Sequence, residues 1–420
     1  MNYFNYRGDD LYCEDISIEE LAEEHETPLY IYSFGTLRRH YQVFDRAFAE
    51  VPHLVCFSAK ANSNIAILRA LINEGSGVDV VSGGELYRAL KAGADPRKIV
   101  YSGVGKRPEE IRYALESDIL MFNVESSQEL EAINDEAGAT RKKAPVALRV
   151  NPDVDPRTHP HISTGLKENK FGIDIDASLE EYLRARELEN IEIKGVDCHI
   201  GSQILELMPF LDALRRLRDL VKCLRSEGIE IQYLDIGGGL GITYDREEPP
   251  HPDEYAKAVI EEVRDLDCTL ILEPGRVIAG NAGILVARVL FTKERDGRNF
   301  IIVDAGMNDL LRPSFYGSYH QVLPVRKRKR ETIVANIVGP ICESGDFLVK
   351  NREIPSFKRG DLVAIMSAGA YGFTMSSNYN SRPRASELLV SGSLASVIKE
   401  RETWDDLTKG ETIPEFLMRY

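Results

Sequence analysis

Lys60 closes an apolar run, HLVCFSAK (53–60). Gly237, Gly238 and Gly239 close another, YLDIGGG, and Glu273-Pro274-Gly275-Arg276 closes a third, CTLILEPGR. A lysine at the end of a buried strand is costly unless it is paired or used. Amines so placed form Schiff bases with carbonyl compounds when their pKa is lowered, and partial burial with neighbouring cations is expected to lower that of Lys60. Glycines let backbone N–H groups come close to an anion. A carboxylate such as Glu273 accepts a hydrogen bond from a protonated ring nitrogen and keeps the ring an electron sink. These residues describe a site for a phosphorylated, electron-withdrawing cofactor. Far downstream, Cys342-Glu343-Ser344-Gly345-Asp346 adds a thiol and carboxylates, which would select the substrate.

The elements that must position these groups follow from hydrophobic period. From residue 28, short β-rich runs alternate with amphipathic helical segments. The runs are HLVCFSAK (53–60), GVDVVS (77–82), KIVYSG (98–103), ILMFNVES (119–126), APVALRVNPD (144–153), IEIKGVDCHIG (191–201), IQYLDIGGG (231–239) and CTLILEPGR (268–276). Segments of helical period such as NIAILRALINEG, GELYRALKAG and FLDALRRLRDLVKCLRSEG lie between them. Strands alternating with helices imply a parallel sheet. Eight such units predict an α/β fold of the (β/α)8 TIM-barrel type. In such barrels the chemistry sits at the carboxyl ends of the strands, with phosphate often held after strands 7 and 8, where GGGLG and EPGR fall. After residue 280, runs such as ILVARVLFTKE, NFIIVDAG, ETIVANIVG, DLVAIMSAG and ASELLVSGS follow one another with little helix between them, which predicts an all-β C-terminal domain. The expected division is an N-terminal segment (1–27) packing on the β domain, a barrel (28–280) and a β domain (281–420). Ser17 and Glu20 suggest a capping box for ISIEELAEEH. The long polar stretch 151–173 is expected to be a lid at the barrel mouth.

Bulk properties exclude several classes. A net charge of -15 argues against a nucleic-acid binder, and the basic run Arg326–Arg330 reads as a solvated loop. No apolar stretch approaches the length of a membrane span, and the N-terminus has no leader pattern. Six cysteines without a CxxC pair suit a reduced, cytoplasmic protein. No metal site is expected; His159 and His161 alone read as a polar loop.

The segments FSAKANSN, VDCHIGSQ, DIGGGLG and EPGR together resemble the fold-type-III pyridoxal-phosphate decarboxylases. MNDLLRPSFYGSYH (307–320), CESGD (342–346) and GAYGFTMSSNYNSRPR (369–384) are similar to the branch of that family acting on meso-diaminopimelate. The likeness spans nearly the whole chain, with the motifs in the family's order. Ala59, before the lysine, is more often a larger aliphatic residue there. The resemblance implies pyridoxal 5'-phosphate as cofactor, bound by Lys60 as a Schiff base. It implies His199 stacked on the ring, Glu273 on its nitrogen, and Ser202, Gly239, Gly275 and Arg276 around the phosphate. Tyr371 would contact cofactor and substrate. Arg276, Arg312 and Tyr316 would bind carboxylate, Glu343 the distal ammonium, and Cys342 would protonate the carbon after carbon dioxide leaves. In the family this Cys-Glu pair comes from a partner subunit, so a homodimer with shared sites is implied. The expected reaction yields lysine from meso-diaminopimelate. A decarboxylase of ornithine or arginine type, a non-catalytic cofactor-binding protein and a racemase of similar architecture are the competing readings. Taken alone, Cys342 reads as a small buried hydrophobe, His199 as a core histidine, Arg312 as a surface ion pair, and Tyr316 and Tyr371 as aromatic packing.

Overall fold

The structure, a computed structural model, describes residues 2–156 and 169–418. His159, His161 and most of the expected lid lie outside the described residues. The chain divides into two compact units, one of residues 34–282 and 369–374, the other of 1–33, 283–368 and 375–420.

The first unit is a closed parallel barrel. Its strands are β1 (His53–Ser58), β2 (Gly77–Val80), β3 (Ile99–Tyr101), β4 (Met121–Val124), β5 (Ala144–Asn151), β6 (Ile191–Asp197), β7 (Tyr233–Asp235) and β8 (Thr269–Leu272). Each pairs in parallel with the next, and β8 closes on β1 through Leu270–His53 to Leu272–Val55. Helices start where the sequence signals them. Asn64, Ser82 and Ser126 each accept a backbone N–H of the first turn, and Pro252 opens Pro252–Val263 behind a His251 cap. Phe34–Ala47, which precedes β1, packs against Ile65–Asn73 and Pro252–Val263 and so fills the place of an eighth helix. Phe44 and Phe48 meet Tyr255 there at ring distances of 6.4 and 5.9 Å.

The barrel interior is layered by the strand period of two. Cys56, Val100, Met121, Ala147 and Ile271 form a buried apolar layer. Two residues further along the same segments stand Ser58, Ser102, Asn123, Arg149 and Glu273, all buried and all polar. One step towards the strand carboxyl ends thus turns a packed core into a chemical site.

The second unit is built on a mixed sheet in which Gly283–Arg295 is the long central strand. Leu29–Ser33 pairs antiparallel with it and parallel with Ser386–Ser391. This corrects the expectation that residues 28–33 open the barrel region. A strand followed by a helix looks the same locally whichever sheet it enters; Leu29–Ser33 is fully buried, both edges paired within this sheet and Leu29 and Ile31 packed in its core. Phe4, Leu11, Ile18 and Leu21 of the N-terminal segment share a core with Leu29, Ile31, Ile284, Val286, Leu388 and Val390. Ser17 stands at the N-cap of Ile18–His25, but it ends a strand paired with Tyr12, and its buried side chain makes no cap hydrogen bond, so the expected capping box is not formed. The basic run is tied down locally. Arg326 reaches Asp10 at 2.7 Å, Arg330 reaches Asp361 at 2.6 Å and Lys327 covers the Tyr6 ring.

Candidate active site

A cleft opens at the carboxyl ends of the barrel strands. Lys60, His199, Ser202, Gly239, Glu273, Gly275, Arg276 and Tyr371 all line it. Lys60 Nζ donates to Asp79 Oδ2 at 2.7 Å, and Ser58 Oγ donates to the same oxygen at 2.9 Å. Burial opposes the charge on Lys60, but the carboxylates of Asp79 and Glu273 outweigh it and raise the amine above its ordinary range. This reverses the expectation that burial and cations lower it: the near neighbours are acids.

Glu273 follows β8 and is buried. Its Oε1 accepts from Ser102 Oγ and from Asn123 Nδ2, each at 3.3 Å, and Asn123 Nδ2 also lies 3.1 Å from Asp235 Oδ2. Carboxyl oxygens of Asp197, Asp235 and Glu273 all fall within 4.8 Å of one another. Burial first, then the charges of Asp235 and Asp79, raises Glu273 well above the carboxylate range, against the pull of Lys60 and Arg149. Burial and Glu273 do the same to Asp197. Crowded buried acids cannot all ionise, so protons are retained beneath the cavity. Arg149 offsets part of this charge. Its guanidinium donates to Glu125 at 2.6 Å and lies 4.0 Å from Asp197.

His199 stands just beyond β6. Its Nδ1 accepts the Gly238 N–H at 3.1 Å, which assigns the proton to Nε2. Burial, then the charges of Arg149 and Lys60, holds its pKa far below the ordinary range, so the ring is neutral. The glycine run explains itself sterically. A Cβ on Gly238 would lie 2.2 Å from the Glu273 carbonyl oxygen, and Gly239 has φ +115°. Arg276 donates to Ser202 Oγ at 3.0 Å and to the Tyr244 hydroxyl at 2.7 Å, with its guanidinium carbon 4.8 Å from the Tyr371 ring centre. Tyr371 has φ +56°, a costly conformation for a tyrosine, fixed by its N–H to Ala61 O at 2.8 Å.

These features fit pyridoxal phosphate. An amine, a buried acid for a ring nitrogen, a flat neutral imidazole and a glycine cradle beside an arginine line one cleft.

The remaining predicted residues belong to the second unit. Arg312 and Tyr316 begin and end the short helix Arg312–Tyr316. Arg312 is buried, not a surface ion pair, and donates to His320 Nε2 at 3.0 Å; His320 Nδ1 donates to Met366 O at 2.8 Å. Cys342 is exposed, unlike the buried Cys13, Cys56 and Cys198. Its turn is held by Asp346, which accepts the N–H groups of Met307 and Ile341 at 2.7 Å each.

Sequence reasoning missed Asp79, Asn123, Arg149, Asp197, Asp235 and His320. For most of them a signal existed: a polar or charged residue inside an apolar strand run, as in GVDVVS, ALRVN, VDCHIG and YLDIGGG. His320 had no such signal; only the fold sets it against Arg312.

The family described as "Pyridoxal-dependent decarboxylase, pyridoxal binding domain" matches residues 34–280. Diaminopimelate decarboxylase of Haemophilus influenzae is 53% identical over 409 residues, 97% of this chain and 98% of that protein. The enzyme of that name from Vibrio cholerae is 50% identical over 415 residues, 98% and 99% of the two chains. A crystal structure of diaminopimelate decarboxylase from M. jannaschii in complex with L-lysine superposes with a TM-score of 0.94 at 39% identity, covering 99% of this chain and 98% of that one.

Proposed function

The chain belongs to the diaminopimelate decarboxylases, among the pyridoxal-dependent decarboxylases, and on that premise we propose how its side chains divide the work. It is a pyridoxal-phosphate-dependent carboxy-lyase that converts meso-2,6-diaminopimelate to L-lysine and carbon dioxide, a step of lysine biosynthesis. When bound, pyridoxal phosphate supplies an aldehyde that captures an amine and a cationic ring that takes up the electron pair left by carbon dioxide.

Lys60 is the amine that would hold the cofactor's aldehyde, give way to the substrate amine and free the product. Glu273 would hold the ring nitrogen and keep a proton beside it, and Ser102 and Asn123 fix its carboxyl. His199, neutral and held by Gly238, would support a face of the ring. Ser202, Gly239, Gly275 and Arg276 would hold the phosphate, and Tyr371 would touch cofactor and substrate. Arg276, Arg312 and Tyr316 bind carboxylate, the guanidinium forks matching its two oxygens. Glu343 takes the distal ammonium, and Cys342 gives its proton to the carbon that lost carbon dioxide. The Cys-Glu pair acts on the site of a partner, so the working unit is a homodimer in the cytoplasm. No helix among the described residues is long and apolar enough to cross a membrane.

The observation that carries this reading is Lys60 and Glu273 in one cavity with the glycine cradle. The substrate follows from its two ends. Meso-diaminopimelate offers a distal carboxylate and ammonium, for which Arg312 and Glu343 are the counter-charges; ornithine and arginine have no such carboxylate. Carbon dioxide release with added pyridoxal phosphate from the three amino acids tests it. Turnover confined to meso-diaminopimelate is expected, and equal turnover of ornithine would refute the assignment of substrate.

A further inference from the structure

Two neighbouring residues, Tyr379 and Asn380, hold the two neighbouring residues Cys342 and Glu343. Asn380 Oδ1 accepts the Cys342 N–H at 2.7 Å, and the Tyr379 hydroxyl donates to Glu343 Oε2 at 3.1 Å. The backbone is bent to make this register. Asn380 has φ +55° and Ser381 φ +53°, left-handed conformations that side chains other than glycine rarely adopt, asparagine most readily among them. The loop that bears them is itself moored. Asn378 Nδ2 donates to Glu402 Oε2 at 2.6 Å, and Arg384 donates to Glu402 Oε1 at 2.7 Å. On the other side, Asp346 fixes the Cys342 turn to the Met307 loop that leads into Arg312.

We propose that Tyr379 and Asn380 are positioning residues that set the aim of the proton donor and of the ammonium-binding carboxylate within each protomer. The proposal rests on the roles given above to Cys342 and Glu343 and adds what orients them. Asn380 sets the backbone from which the Cys342 thiol projects, and so governs proton delivery. Tyr379 holds the Glu343 carboxylate in one orientation, and so governs recognition of the distal ammonium. The two effects separate kinetically: the first falls on kcat, the second on KM.

The experiment compares the holoenzymes of Asn380→Gly, Asn380→Asp and Tyr379→Phe with Cys342→Ala and Glu343→Gln. Glycine keeps the left-handed backbone but removes the acceptor; aspartate keeps both. Asn380→Gly is expected to lower kcat about tenfold or more with little change in KM, and Asn380→Asp to restore most of it. Tyr379→Phe is expected to raise KM for meso-diaminopimelate about fivefold with kcat nearly preserved. A readout independent of turnover is amide hydrogen exchange at Cys342, which should quicken in Asn380→Gly and not in Asn380→Asp. An Asn380→Asp enzyme as poor as Asn380→Gly, or wild-type kcat in Asn380→Gly, would overturn the proposal. If Cys342→Ala is slow while Asn380→Gly is not, only the positioning role falls. If Cys342→Ala keeps full kcat, the proton-donor reading falls and the proposal with it.

Discussion

Replacing Asp79 with Asn removes the carboxylate that lies 2.7 Å from Lys60 Nζ while keeping the shape of the side chain. A unit charge pair in close contact is worth about 4 kcal/mol at an effective dielectric near 20. Lys60 leaves 33% of its side chain open to solvent, so screening leaves roughly half of that, about 2 kcal/mol. At 1.36 kcal/mol per unit, the lysine pKa falls by about 1.5 units. The sign follows from the proton. Lys60 is raised by its acids and stays protonated until pH climbs through that raised value; only the neutral amine attacks an aldehyde. Removing Asp79 moves the release of the nucleophile to lower pH, and at neutral pH the neutral fraction grows about thirtyfold. The assay is the rate at which apoenzyme takes up pyridoxal phosphate, followed by absorbance from neutral to alkaline pH. The variant should reach its plateau at lower pH than the native chain. A profile that does not move, or moves to higher pH, would show that Asp79 is not what keeps Lys60 charged.

Three further outcomes follow from the same geometry. Lys60→Ala should abolish the visible absorbance of bound cofactor and turnover together, and either one persisting would remove Lys60 from its role. His320→Phe leaves Arg312 without the acceptor 3.0 Å from its Nη1; KM for meso-diaminopimelate should rise about tenfold, measured by steady-state carbon dioxide release, while His320→Gln, which keeps an acceptor, recovers part of the loss. Gly238→Ala places a Cβ 2.2 Å from a backbone oxygen. It should cost about 1–3 kcal/mol of stability in denaturant titration and weaken cofactor retention on dialysis.

The barrel was legible because its signals are local and repeated. Strand runs of period two, helical runs of period 3.6 and capping residues between them recur along the chain, and each is set by its own neighbours. Lys60, the glycine run and Glu273 were legible because each ends such a run. Leu29–Ser33 was misplaced for the same reason: its residues say strand, and nothing in them says which sheet. The pKa of Lys60 was misjudged because its value depends on Asp79, nineteen positions away, and on Glu273, on the last strand.

By itself the sequence determined which residue types stand at the ends of which strands, and therefore that an amine, an acid, an imidazole and a glycine cradle would face one another once the barrel closed. It also placed a thiol and a carboxylate side by side at 342–343. The tertiary structure alone decided the electrostatics. Closing the barrel buries Asp197, Asp235 and Glu273 together, and in a low-dielectric interior the charge on each is set by the others and not by its own chain neighbours. It likewise decided which side chains meet: His320 with Arg312, and Asn380 and Tyr379 with Cys342 and Glu343. A hydrogen bond depends on distance and angle in space, and sequence period carries no information about either across a fold.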